Sequence, residues 1–307
     1  MWVVLAFISA LCLGGYDISK KIALKGHRVV DVLTLSILIS SLILSLPLIL
    51  SRLCPGVTEG TAFYVPRLDL QAHLLTLLKS CIVLSSWIFA YISLKHLPLS
   101  VVSPMQATRP MWTLIGALFL FGERLNGWQW TGVLLAIGTI LVYSLSIRSS
   151  KKTRTPEGEK KYYIALVLAI LIGSCSGLYD KFMMRHYDHN AVQVYYTFYQ
   201  AAMMLVVWGA DWFRRPVPHP SAEPVSRLSI LPVILISVFL VISDNVYMLA
   251  LRDSDSLIAV VSTIRRGGAV IGFAYGLVFL QEPEPKKKIA CMIGIMAGLI
   301  CLALGSL

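Results

Sequence analysis

Apolar residues in this chain come in long runs broken by short polar stretches, not in the three-or-four-residue stripes of a soluble helix. Ten runs are long enough to cross a hydrocarbon core of about 30 Å, which takes roughly 20 helical residues. They fall at about 2–24, 29–51, 71–94, 99–121, 128–147, 162–184, 190–213, 229–251, 256–280 and 287–306. Between the fifth and sixth lies the most highly charged stretch of the chain, with KKTRTPEGEKK at its centre. The pattern therefore predicts an all-α polytopic membrane protein of ten transmembrane helices. A first five-helix repeat takes residues 1–147, a basic linker 148–161, and a second five-helix repeat 162–307.

The end of each half supports a duplication. Residues 109–138 read as two apolar helices joined by a tight turn, with Glu123 closing the first, and residues 266–298 repeat the plan with Glu282 in that place. Gly294 and Gly298 stand where the first copy has Gly132 and Gly138. Five spans per half is an odd number, so the second half enters the bilayer upside down relative to the first. Inverted repeats around a central cavity are the plan of many secondary transporters.

Composition agrees with the pattern. Apolar residues make up 57% of the chain and charged residues 14%, against about 25% charge in soluble domains, so there is too little polar surface to face water all round. The net charge of +11 sits in loops, which argues for topogenic charge and against nucleic acid as a partner. The odd-numbered loops hold seventeen Lys and Arg and the even-numbered loops five, which places the odd loops in the cytoplasm and both termini outside. The first span lacks a basic leader and a small-residue cleavage site, so no cleavable signal peptide is expected. Six Cys without a C-x-x-C pair suggest neither a disulfide frame nor a zinc site.

The duplicated five-span layout, with the P-x12-E spacing from Pro110 to Glu123 ahead of a glycine-rich helix, resembles the EamA-type members of the drug/metabolite transporter superfamily. The second copy departs by carrying Ala269 where the proline would be. The likeness covers essentially the whole chain. It implies a cavity enclosed by spans one, three, four, six, eight and nine, and a small-molecule substrate, with export of amino acids or related metabolites the first expectation. It also implies residence in a bacterial cytoplasmic membrane. Eukaryotic relatives are usually drawn with both termini in the cytosol, opposite to the charge count.

Ionisable groups inside a span are expensive and mark functional sites. Asp17 and Asp180 recur in both halves, each after a tyrosine (Tyr16, Tyr179). They read either as helix-end ion pairs, Asp17 with Lys20 or Lys21 and Asp180 with Lys181 or Arg185, or as gating groups with Lys20 and Tyr179. Arg109 and the pair Arg265–Arg266 lie deep in spans four and nine, and Pro104 and Pro110 free backbone carbonyls nearby. Such arginines either neutralise a buried carboxylate, for which Asp244 is the candidate, or clamp an anionic group. Trp87, Tyr91, Gln106 and Tyr247 complete the expected substrate-binding set, with Trp112 and Tyr275 as further aromatic candidates. Tyr195, Tyr196, Tyr199 and Gln200 form a polar run in span seven, which the resemblance implies packs outside the cavity, and they have no assigned role. If transport is proton-coupled, Asp244 is the expected carrier.

Other motifs carry less. Gly268, Gly272 and Gly276 in span nine, and Gly294 with Gly298 in span ten, read as close helix packing or as a possible homodimer seam on spans five and ten. Gly173-Ser-Cys-Ser-Gly177 has Cys where a nucleophile elbow needs Ser, and Asp253-Ser-Asp255 reads as a helix cap. His186 and His189 have only Asp188 as a third metal ligand. No Walker loop or dinucleotide fingerprint is present. The expectation is a secondary transporter of a small polar or amphipathic metabolite, working by alternating access, and neither an enzyme nor a cofactor or metal binder. The alternative on the same fold is a flippase for an isoprenoid-phosphate-linked or other anionic lipid.

Overall fold

The computed structural model describes residues 2–59, 61, 64–109, 111–113, 115–116, 126–150, 157–213, 230–252, 264–281 and 285–305. Among them all regular structure is helical. The first half gives α1 (Trp2–Ala23), α2 (Val29–Leu53), a four-residue turn of helix α3 (Pro55–Thr58), α4 (Leu70–His96), α5 (Leu99–Ala107) and α6 (Gly127–Ser150). The second gives α7 (Glu157–His186), α8 (His189–Phe213), α9 (Ile230–Arg252), α10 (Ala269–Val278) and α11 (Pro285–Leu304). Eight of the ten expected spans match a helix to within a few residues. Within the described residues four segments, Val29–Leu53, Leu70–His96, Lys160–Asp180 and Ile230–Tyr247, are by length and composition alone apolar enough to cross a membrane. Pro110, Glu123, Glu282, the Asp253-Ser-Asp255 turn and most of the KKTRTPEGEKK stretch lie outside the described residues.

Spans four and nine are the two that differ. Each is broken where its arginines lie. Helix α5 stops at Ala107, and the chain tightens through i-to-i+3 hydrogen bonds, Thr108 N–H to Met105 O (3.2 Å) and Met111 N–H to Thr108 O (3.0 Å). In span nine the same tightening runs from Gly267 N–H to Ile264 O (2.9 Å) and Ile271 N–H to Gly268 O (3.0 Å) before α10 proceeds. Arg109 directly follows the turn at Thr108, and Arg265–Arg266 directly precede the turn at Gly267–Gly268, so all three arginines flank irregular backbone. Such backbone is tolerated at membrane depth only where protein or a wet cavity surrounds it.

Helices pair across the two halves. The partners are α1 with α9, α7 with α4, α2 with α8, α5 with α10 and α6 with α11. The first three pairs run antiparallel, as their contacts show. Ser9 meets Ser243 (3.0 Å between hydroxyls) while Gly15 meets Phe239. Lys79 meets Asp180 while Ser86 bonds Ala169 O (2.8 Å). At one end of the α2–α8 pair Arg28 holds Asp211 at 2.5 Å, and at the other Arg52 donates to Tyr195 (3.0 Å). Outward faces are apolar, with Leu42, Val206 and Phe213 among many exposed large side chains. That is the surface a bilayer requires and water penalises.

Glycine fixes the tightest crossings. A Cβ at Gly268 would fall 2.2 Å from Ala10 O and 3.2 Å from Gly14 N, so α1 and span nine meet backbone to backbone. Gly272 faces Ser103 of α5 in the same way, and Gly294 faces Thr139 of α6. These glycines serve packing within the chain. Replacing Gly268 by Val should lower the thermal unfolding midpoint in detergent by several degrees, about 1–3 kcal/mol of overpacking. Gly209→Ala, where a Cβ meets nothing within 4 Å, should not lower it.

Candidate functional site

A cavity of about 200 Å³ opens between α1, α4, α5, α7, α8, α9 and the break in span nine. Its wall contains Asp17, Lys20, Trp87, Tyr91, Gln106, Arg109, Asp180, Asp244, Tyr247, Arg265 and Arg266. Of the residues expected from sequence to bind or gate, only Tyr179 is missing from the wall. Its hydroxyl instead donates to Leu75 O (3.1 Å) between α7 and α4. Trp112 and Tyr275 are not in the wall either. Both pack against the apolar core, and Tyr275 stacks on Phe279.

The three cavity carboxylates each hold a cation. Asp17 takes Lys20 one turn along α1 at 2.6 Å, a spacing at which helical side chains meet. Asp180 takes Lys79 of α4 at 2.5 Å. Asp244 is bonded by Arg265, and Tyr196 also donates to it at 3.4 Å. Ionic hydrogen bonds of this kind are about twice as strong as neutral ones. They also offset the desolvation of both partners, which in a low-dielectric interior would otherwise cost several kcal/mol per ion.

Each of these cations also lies over an aromatic face. Lys20 sits 4.0 Å from the centre of the Tyr16 ring, Lys79 5.0 Å from Tyr196, and the Arg265 guanidinium 4.3 Å from Tyr247. Rings already facing a protein cation have less to offer a cationic solute. Tyr247 thus acts through Arg265.

Arg109 is held differently. Its guanidinium lies flat against α7, donating to Ser86 Oγ and Ala169 O, both at 3.3 Å. A Cβ on Gly173 would come within 2.7 Å of its Cζ, so the side chain fits only because residue 173 is glycine. Ser174 Oγ donates to the backbone carbonyl of Arg109 at 3.2 Å, and Gly177 faces Thr113. The Gly-Ser-Cys-Ser-Gly sequence is thus the seat of Arg109.

Two readings from sequence change. Asp180 pairs with Lys79 from the facing helix, a partner the sequence had not offered; the side chains of Lys181 and Arg185 lie outside the described residues. Lys20, counted among loop charges, is only 5% exposed and belongs to the cavity.

Sequence reasoning overlooked Lys79, although a lone lysine nine residues into an apolar run is itself the signal. It left Tyr196 unassigned and passed over Gln193, and both are in the wall. Gln200, one turn beyond Tyr196, is fully buried with neither amide atom bonded among the described residues. It borders a recess of about 10 Å³ that shares Asp244 and Tyr196 with the main cavity. That is about the room one water needs.

Residues 1–145 match the family model described as the EamA-like transporter family. No curated protein matches the chain in sequence. One solved crystal structure, described only as that of a protein, matches with a TM-score of 0.65 over 99% of this chain and 96% of its own, at 15% identity. At that identity the likeness establishes the fold alone.

The facing-helix pair gives a direct test. Lys79→Met should destabilise the protein by about 1–2 kcal/mol, less than for a fully buried pair because the Asp180 side chain left behind is 40% exposed. Lys79→Met combined with Asp180→Leu should recover most of that loss, as read from reversible unfolding in mixed micelles.

Proposed function

We propose, from a chain whose residues 1–145 belong to the EamA-like transporter family of the drug/metabolite transporter superfamily, that this integral membrane protein is a secondary transporter of a small metabolite. Its two five-helix repeats, 1–147 and 162–307, are inverted copies that rock against one another around the cavity. The observation that carries the reading is the cavity itself. Helices of both halves place five basic and three acidic side chains around one space in an otherwise apolar molecule. Intramembrane charge of this density marks a solute or ion path.

The helix pairing supports the inverted plan. Exchange of the halves turns the α1–α9 pair into the α7–α4 pair and returns each of the other three pairs to itself. The α1–α9, α7–α4 and α2–α8 pairs are antiparallel, as a two-fold axis in the membrane plane requires. The breaks at Arg109 and Arg265–Gly268 occupy equivalent places in the two halves. Discontinuous helices at a repeat interface are where transporters of this plan bind solute. Opening to one side at a time would rearrange Asp17–Lys20 and Asp180–Lys79, the ion pairs of the two equivalent first helices. The direction is taken as export, across a bacterial cytoplasmic membrane.

A proton-coupled cycle would use Asp244, the carboxylate shared by Arg265 and Tyr196. In proteoliposomes, Asp244→Asn is then expected to abolish uptake driven by a pH gradient while counterflow of the solute persists. Uptake that is unchanged by the substitution at every pH would exclude Asp244 as the carrier. For the transport reading itself, a thermal-shift screen of amino acids, amines, sugars, organic anions and nucleotides should yield a stabilising solute. Arg109→Ala should remove that stabilisation, and a screen in which no soluble compound stabilises the protein would count against it.

A further inference from the structure

The cavity's charges do not balance. Lys20, Lys79 and Arg265 are matched by Asp17, Asp180 and Asp244, each within salt-bridge reach. Arg109 and Arg266 are left over, and among the described residues neither has a carboxylate partner. Arg109 has only neutral acceptors, and its Nε is buried without any partner among the described residues. Both guanidinium groups line the same cavity as Lys20, and Asp17, whose charge also reaches them, is already held by Lys20. Two like charges in one partly desolvated space are unfavourable unless a counter-charge joins them.

We infer that the site takes a doubly charged organic anion, a phosphomonoester, with its phosphoryl group between Arg109 and Arg266. This rests on the transport reading above and narrows it to a substrate class. A tetrahedral dianion offers three oxygens to two planar donor forks and neutralises both in one place. Gly173 lets Arg109 lie against α7, which fixes one fork in advance. Trp87, also in the wall and over which no cation lies among the described residues, is left to pack against the organic part. A zwitterion such as an amino acid would bring an ammonium group into a space with two cations to spare. Its carboxylate would cancel only one. The phosphoryl group could arrive on a soluble metabolite or on a lipid carrier, since the chemistry recognised is the same.

The test is equilibrium binding by the intact purified protein in lipid nanodiscs, followed by transport in proteoliposomes. Binding probes are inorganic phosphate, glycerol 3-phosphate, phenyl phosphate, succinate, leucine and, doped into the discs, a polyprenyl phosphate. Phosphomonoesters should bind more tightly at pH 7.5 than at pH 5, because their second ionisation lies near pH 6. Arg266→Gln should weaken binding by about 10- to 100-fold, as expected for one lost charge-assisted contact. The same variant should unfold at an equal or higher temperature than the parent, because it removes a repelled charge. Arg109→Gln should lose binding too, but with lower stability, because its contacts to Ser86 and Ala169 go.

Binding and transport of leucine with no competition from any phosphate would overturn the anion inference and leave the transporter reading intact. Tight succinate binding without phosphate binding would overturn the phosphoryl assignment. Phosphomonoester binding without movement of any solute would keep the anion inference and remove the transporter reading. Binding of the polyprenyl phosphate alone would also keep it, and would make the lipid carrier the source.

Discussion

Charge buried in a medium that does not solvate it has to be answered by opposite charge, by hydrogen bonds or by a ligand. The central cavity follows from that constraint. Asp17, Asp180 and Asp244 are each held by a cation, and each cation rests on a tyrosine ring. Arg109 is answered by neutral oxygens on α4 and α7, and Arg266 has no carboxylate partner among the described residues. The sum is a polar chamber that is internally braced yet positively charged. A bilayer would not tolerate such a chamber without an occupant or access to water.

The bracing depends on close backbone approach. Gly14 and Gly268 allow α1 to touch span nine, Gly272 allows span nine to touch α5, and Gly173 admits the Arg109 guanidinium against α7. Packing in lipid gains little from apolar side chains, because lipid tails compete for them, and is governed by small residues and buried hydrogen bonds. Ser9 with Ser243, and Ser237 with Ser36 O, supply such bonds between helices of different halves. These contacts run across the halves, so relative motion of the halves must break some of them. The two breaks in spans four and nine offer places where the backbone can absorb such a change.

Much of this was legible in the sequence because the bilayer imposes a coarse rule. Span length and apolar content located the helices, and intramembrane Arg109, Arg265, Arg266 and Asp244 announced a site. Pairing was not legible. Asp180 has Lys181 and Arg185 close to it in sequence, and only the α4–α7 contact reveals that Lys79 is a partner. Tyr179 shares its sequence setting with Tyr16 yet is absent from the cavity wall, because its hydroxyl is taken by Leu75 O of α4. Tyr196 sits in a run of four polar residues, and the facing helices select which of them enters the cavity. The Gly173–Gly177 stretch looked like a failed catalytic motif until the arginine lying on it was seen.

The account's central claim is that one cavity is reached from each side of the membrane in turn. Ser176, buried in the cavity wall, can be replaced by cysteine in a cysteine-free background and labelled with a membrane-impermeant maleimide from each face of sealed proteoliposomes. Labelling from both faces is expected, with a bound solute shifting the balance between them. Labelling from one face alone under every condition would contradict alternating access and turn the cavity into a fixed, one-sided binding site.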